Sequence, residues 1–182
     1  MKLIELKEVR KNYLNKVFNL EIYDNEKLII TGSNGSGKST LVKLIASYIK
    51  PDFGEVIYYK DKEIHYLEEL AKLPLNMKVD EYIDTIMNLK STKVNYLLFD
   101  LFKVPLNKYI YELSKGNKQK LSLLLTLSLN DGIIIMDEPL NGLDKETIKE
   151  FIEFLNCMNK VLIIVTHYRE DYQGLESREI RL

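Results

Sequence analysis

The stretch Leu28-Ile29-Ile30-Thr31-Gly32-Ser33-Asn34-Gly35-Ser36-Gly37-Lys38-Ser39-Thr40 decides the fold. A short apolar run, suited to a buried strand, passes straight into glycines. Beyond Lys38-Ser39-Thr40, the residues Leu41, Leu44, Ile45 and Tyr48 recur at helical spacing, and Pro51 lies past the expected helix end. Strand, glycine-rich turn and helix, in that order, are the context in which Gly-x-x-x-x-Gly-Lys-Ser binds phosphate. The glycines at 32, 35 and 37 let the backbone curl so that successive N–H groups, from Ser33 through Ser36 to Thr40, point inward. The helix start adds the positive end of its dipole. Lys38 is placed to reach the β- and γ-phosphates and Ser39 to ligate Mg²⁺. A glycine-rich turn with no ligand is the plainer reading. At average composition the pattern arises by chance in roughly one chain of this length in a few hundred, and the flanking strand and helix lower that further.

Working outward, Phe18, Leu20 and Ile22 alternate with Asn19, Glu21 and Tyr23, the two-residue period of a half-buried strand, and Asp24-Asn25 supplies a turn. Residues 1–31 therefore read as β structure. Glu55–Tyr59 and Ile64–Leu67 add short strands. From Val79 to Leu129 the pattern turns helical, with Tyr82, Ile83, Ile86 and Leu89 as one stripe and a second helix over Asn95–Phe102. Pro105 and the Lys108–Lys120 stretch interrupt it with a polar loop. Ile133–Met136 is uncharged and suits a strand buried on both faces. A helix over Lys145–Met158 turns Ile148, Phe151, Ile152 and Leu155 inward, capped by Asp144, and Val161–Val165 is a further buried strand. Short apolar strands alternating with helices predict a parallel sheet covered on both faces, with the helical middle as an inserted lobe.

A phosphate cradle also needs a metal partner and a group to position water. Asp137 and Glu138 stand as adjacent carboxylates at the C-terminal end of the Ile133–Met136 strand, where open α/β sheets place their ligands. Asp137 is expected in the Mg²⁺ sphere, and Glu138 is expected to orient or deprotonate the attacking water. His167 follows the Val161–Val165 strand, and a parallel sheet brings it beside these carboxylates, within reach of a γ-phosphate.

With these motifs in place, Leu113-Ser114-Lys115-Gly116-Asn117-Lys118-Gln119 resembles the signature of the ATP-binding cassette (ABC) ATPases, usually Leu-Ser-Gly-Gly-Gln. Leu140-Asn141-Gly142-Leu143-Asp144 is similar to that family's D-loop, and Thr166-His167 to its switch histidine. The resemblance runs from about residue 1 to residue 170. It implies an α/β P-loop NTPase fold with a parallel sheet, an N-terminal antiparallel β subdomain and an inserted α-helical subdomain. A single domain is expected over 1–182, with a core near 1–68 and 130–182 and helices near 69–129. The resemblance further implies ATP and Mg²⁺ as ligands and a head-to-tail dimer with a second ABC subunit, an identical copy or a pseudo-dimer partner. Ser114 and Gly116 of one copy would close over the ATP of the other. Tyr13 takes the position of the aromatic that stacks on adenine.

The chain departs from the family pattern in three places. Lys115 replaces a glycine and Asn117 a glutamine, as in the exporter-type bacterial cassettes that this chain resembles. No glutamine lies in Ile64–Leu73, where the Q-loop is expected; Glu69 is the nearest match, with Glu68 as the alternative. Glu69 is then a candidate for the metal sphere, although a carboxylate offers no amide donor. The resemblance implies a motor subunit beneath an integral membrane permease, compact, exporter-like and peripheral to the cytoplasmic face. The alternative is a soluble ABC ATPase of repair, translation or cluster assembly.

Composition narrows the choice. With 26 basic and 27 acidic residues the net charge is −1, which offers no footprint for nucleic acid. The single cysteine, Cys157, allows no internal disulfide and fits a reducing compartment. No run approaches the roughly 20 apolar residues of a spanning helix, and Met1–Arg10 is too charged for a secretory signal. Any membrane part is expected from another chain.

Overall fold

A computed structural model describes residues 1–69 and 72–182. Three strands, β1 (Lys2–Lys11), β2 (Leu14–Tyr23) and β4 (Phe53–Tyr58), form an antiparallel sheet in the order β2-β1-β4. Its register slips between Leu6 and Val9, where Glu8 adopts φ 52° and its N–H donates to the Asn19 side chain at 2.8 Å. Five strands make the second sheet: β3 (Lys27–Thr31), β5 (Ile64–Leu67), β6 (Ile133–Asp137), β7 (Val161–Val165) and β8 (Arg178–Arg181). Their order is β5-β6-β7-β3-β8, and every pairing is parallel. Parallel strands end on one edge. The residues after β3, β6 and β7 therefore meet there, although more than a hundred positions of sequence separate the first from the second.

Alternate side chains divide the parallel sheet between two cores. Leu28, Ile30, Ile133, Ile135, Ile163 and Val165 pack towards α1 (Lys38–Ile45) and the antiparallel sheet. Ile29, Ile134, Met136, Leu162 and Ile164 face the opposite layer, built from α2 (Val79–Leu89), α3 (Tyr96–Phe102), α4 (Lys115–Leu127) and α5 (Lys145–Cys157). Burial on both faces is why these strands read as unbroken apolar runs. Asp144 caps α5, accepting the Thr147 N–H at 2.9 Å, as its sequence position predicted. Asn95 caps α3 in the same way.

The structure corrects three expectations and adds one strand. α1 stops at Ile45: Ser47 turns to φ 59° and the Tyr48 N–H closes on the Lys43 carbonyl at 2.9 Å, leaving Tyr48 exposed. On α2 the buried residues are Val79, Ile83 and Met87; Tyr82 and Ile86 of the expected stripe pack partly buried against the same core, and Leu89 is exposed at the helix end. The polar loop ends at Ser114, because Lys115–Lys120 already forms the first turns of α4. Strand β8 was not expected, since Arg178-Glu179-Ile180-Arg181 has no apolar run; it is an edge strand held by pairing with β3. Among the described residues, no helix is long and apolar enough to cross a membrane.

Candidate nucleotide site

The turn after β3 reverses through Gly37 at φ 101°, where a side chain would be strained and a Cβ would lie 2.7 Å from a Leu14 methyl. Gly37 is also the N-cap of α1, and no side chain caps that helix. The first-turn N–H groups thus have no side-chain acceptor, the arrangement that receives an anion. In the same loop Ser36 Oγ is buried, with no hydrogen-bond partner among the described residues. Lys38 is buried, and its ammonium donates to the carbonyls of Gly32 at 2.7 Å and Ser33 at 3.1 Å. Burial depresses its pKa, and Glu138 and Asp137 oppose that shift. An uncapped helix start, an orphaned hydroxyl and a buried ammonium together fit a polyphosphate.

Across the cavity, Asp137 ends β6 and its Oδ2 accepts the Tyr66 hydroxyl at 3.3 Å. Glu138 adopts φ 48°, uncommon for a residue with a side chain, with its N–H on the Val165 carbonyl at 2.9 Å. That turn directs its carboxylate towards the end of β7. There it accepts the His167 N–H at 2.8 Å and the Thr166 hydroxyl at 3.2 Å. Burial raises the pKa of both carboxyls, further for Asp137 through Glu69; Tyr66 opposes the shift at Asp137, and the His167 N–H opposes it at Glu138. His167 Nδ1 stands 3.5 Å from the Lys38 ammonium.

Gly37, Lys38, Asp137, Glu138 and His167 line one cavity of about 430 Å³, together with Asn34, Gly35, Ser39, Thr40, Glu69 and Tyr13. Ser39 and Asp137 are the residues that would hold Mg²⁺. The described residues contain no group of three or more His, Cys, Asp or Glu side chains able to hold a metal. One carboxylate and one hydroxyl, completed by phosphate and water, suit Mg²⁺, which seldom occupies an all-protein cage. Glu69 also accepts a hydrogen bond from Asn141 at 3.2 Å. Tyr13 is 67% exposed, and the Lys11 ammonium lies 5.6 Å from its ring centroid. Ser114 and Gly116 do not line this cavity. Ser114 is exposed and caps α4 through the Asn117 N–H at 3.2 Å. Gly116 packs on the D-loop segment, where a Cβ would come within 2.4 Å of the Gly142 carbonyl.

The family model described as ABC transporter matches residues 15–141. The chain belongs to that family. It is 32% identical to the ATP-binding protein Uup of Buchnera aphidicola, over 88% of this chain and 28% of the relative. It is also 32% identical to the zinc import ATP-binding protein ZnuC of Psychrobacter cryohalolentis, over 82% of this chain and 65% of that protein. The chain thus spans less than two thirds of either relative. Among solved structures, an ABC transporter ATP-binding protein of Pyrococcus furiosus superposes with a TM-score of 0.80 at 26% identity, covering 98% of this chain and 96% of that one.

This cassette brings Lys38, Ser39, Asp137, Glu138, His167, Glu69 and Tyr13 together and leaves Ser114 and Gly116 apart. Two contacts at the site escaped the sequence reading. Tyr66 sits mid-strand in β5 and meets Asp137 only because β5 pairs with β6. Gln119 belongs to the signature stretch, yet its side-chain partner, the Pro139 carbonyl, is set by packing. The segment that leads from core to lobe, 68–79, includes Leu70 and Ala71, which lie outside the described residues. Within it, Leu73 and Met77 pack on the helical core, and Leu75 is 50% exposed.

Proposed function

We propose that this cassette hydrolyses ATP as the motor subunit of an ABC transporter, closing head to tail with a second copy beneath a separate membrane permease. One observation carries the reading. Lys38, Glu138 and His167 share a cavity from which the signature residues Ser114 and Gly116 of the same chain are absent. Each chain therefore offers a phosphate site that lacks its signature and a signature that lacks a phosphate site.

In this reading Lys38 exchanges its two carbonyl acceptors for β- and γ-phosphate oxygens, forming stronger charge-assisted bonds. The N–H groups of the Gly32–Thr40 loop surround the phosphates, and Tyr13 stacks on adenine with Lys11 beside its ring. Mg²⁺ supplies neutralisation of phosphate charge, held by Ser39 and Asp137, with Glu69 in the Q-loop place. Glu138, made more basic by burial, orients or deprotonates the attacking water, and His167 contacts the γ-phosphate. Ser114 and Gly116 of the second copy complete the site. Free ATP at about 100 times its dissociation constant would stabilise the closed pair by roughly 2.7 kcal/mol, and hydrolysis withdraws that term.

The domain is read as a single unit over 1–182, core near 1–68 and 130–182, helical lobe near 69–129. It sits at the cytoplasmic face through its permease. Lys115 and Glu69 support an exporter. The Uup relative, named an ATP-binding protein and not a transporter, favours a second reading, a soluble cassette without a permease. Co-purification with a polytopic membrane protein supports the first, and its absence from native membranes the second.

The decisive experiment is Glu138→Gln. Turnover falls by about 10²–10⁴-fold, nucleotide still binds, and ATP drives the variant into a dimer seen by size-exclusion chromatography. Wild-type rates of phosphate release in this variant would refute the assigned role.

A further inference from the structure

We infer that Gln119, on the signature helix α4, is a positioning residue for the Glu138 of its own chain. The inference rests on the hydrolytic reading above and goes beyond it. The signature residues Ser114 and Gly116 are assigned to the nucleotide of the other copy, whereas Gln119 points the other way.

Gln119 is 8% exposed, and its Nε2 donates to the Pro139 carbonyl at 3.0 Å. Pro139 follows Glu138 directly and has no N–H, so this carbonyl is its sole backbone hydrogen-bonding group. Glu138 is doubly constrained. It adopts φ 48°, and it precedes a proline, which disfavours all but extended conformations. Such a conformation persists only where the surroundings over-determine it. On one side the Glu138 N–H is fixed to Val165; on the other the Asn141 N–H closes on the Glu138 carbonyl at 3.2 Å. The carboxylate is held by the His167 N–H and the Thr166 hydroxyl, and the Gln119 amide adds an anchor on the next carbonyl along. Two further contacts hold α4 against the same segment: Gly116 against the Gly142 carbonyl, and the Lys120 ammonium on Asp144 at 3.3 Å.

A single helix thus touches both reaction centres of a closed dimer. Its N-terminal cap, Ser114, serves the partner's nucleotide, and Gln119 sets the water-positioning carboxylate at home. A displacement of α4 on meeting the partner's ATP would move the Pro139 carbonyl and, with it, Glu138.

Mixed dimers separate these roles. Differently tagged chains are co-purified, and phosphate release is measured at saturating Mg·ATP. The reference pairs a wild-type chain with a Glu138→Gln chain, leaving one competent site. In the cis arm, Gln119→Met is placed in the chain that keeps Glu138. In the trans arm, Gln119→Met and Glu138→Gln share a chain and the wild-type chain keeps Glu138. We expect kcat in the cis arm to fall by roughly tenfold, as for a small misplacement of a reacting group. KM should hold, and the trans arm should match the reference, which also shows that the substituted chain folds and presents Ser114. Gln119→Glu, of equal length but without the N–H donors, must give the same cis-only loss. A defect in the trans arm, in both arms equally, or in neither overturns the assignment. A wild-type pair without turnover would overturn the hydrolytic reading itself, and this one with it.

Discussion

Two helix N-termini carry the motifs of this cassette, and they are built differently. That of α1 starts at a left-handed glycine, has no side-chain cap, and opens into the cavity beside Lys38. That of α4 is capped by its own Ser114 and is exposed. An uncapped start inside a cavity leaves N–H groups whose acceptor must come from outside the chain, from water or a ligand. A capped start on the surface is satisfied at rest, and an incoming phosphate must displace or share the cap. The first terminus is a ligand site within one chain, whereas the second is half of a site.

The sharpest way to break this comparison is Ser114→Arg. A bulky side chain at the α4 start should lower turnover by about 10²-fold or more, the scale for losing an oriented transition-state contact. Binding of a fluorescent nucleotide to the isolated chain should stay unchanged. A variant that hydrolyses normally would show that α4 faces no second nucleotide.

Gly37→Ala tests the α1 terminus. The substituted residue must hold a left-handed φ, at a cost of about 1–3 kcal/mol, read as a shift in the urea midpoint and a weakened nucleotide affinity. Ser114→Ala should cost only about 1 kcal/mol, the usual worth of an N-cap, in a thermal melt without ligand. Equal losses for the two would mean that the α1 turn is not strained.

The smallest effect is pH-dependent. Burial holds the Glu138 carboxyl above the ordinary range, so the folded chain keeps that proton at a pH where the unfolded chain has lost it. Its contribution to stability is complete below the unfolded pKa of about 4.3 and is lost as pH rises through the raised folded value. Glu138→Gln should therefore melt higher than wild type at neutral pH, and the gap should close as the pH falls towards 4. A gap that does not change with pH would assign it to packing. For the same reason, turnover should fail on the acid side at a pH above the ordinary carboxylate range.

How much of this was legible beforehand depended on whether a feature is local. The phosphate loop, the carboxylate pair and the Asp144 cap are written in contiguous residues, because each works through its own backbone turn. The buried strands were legible for the same reason, since burial on both faces demands an unbroken apolar run. The end of α1 at Ile45 was not, because Ser47 in a left-handed turn carries no glycine to announce it. The early start of α4 at Lys115 was also hidden: Lys115–Lys120 is polar throughout and contains a glycine, a composition that reads as loop, although Gln119 within it is buried.

The chain order of residues determined by itself that this is a parallel α/β fold with a phosphate cradle, since period, glycine placement and charge act within a few positions. Only the tertiary structure decided what meets at the cradle. The strand order β5-β6-β7-β3-β8 puts Tyr66 on Asp137 and His167 beside Lys38. Packing of α4 sets Gln119 on Pro139 and keeps Ser114 away from the cavity. Those neighbours follow from which apolar faces bury together, a property of the whole core that no short stretch contains.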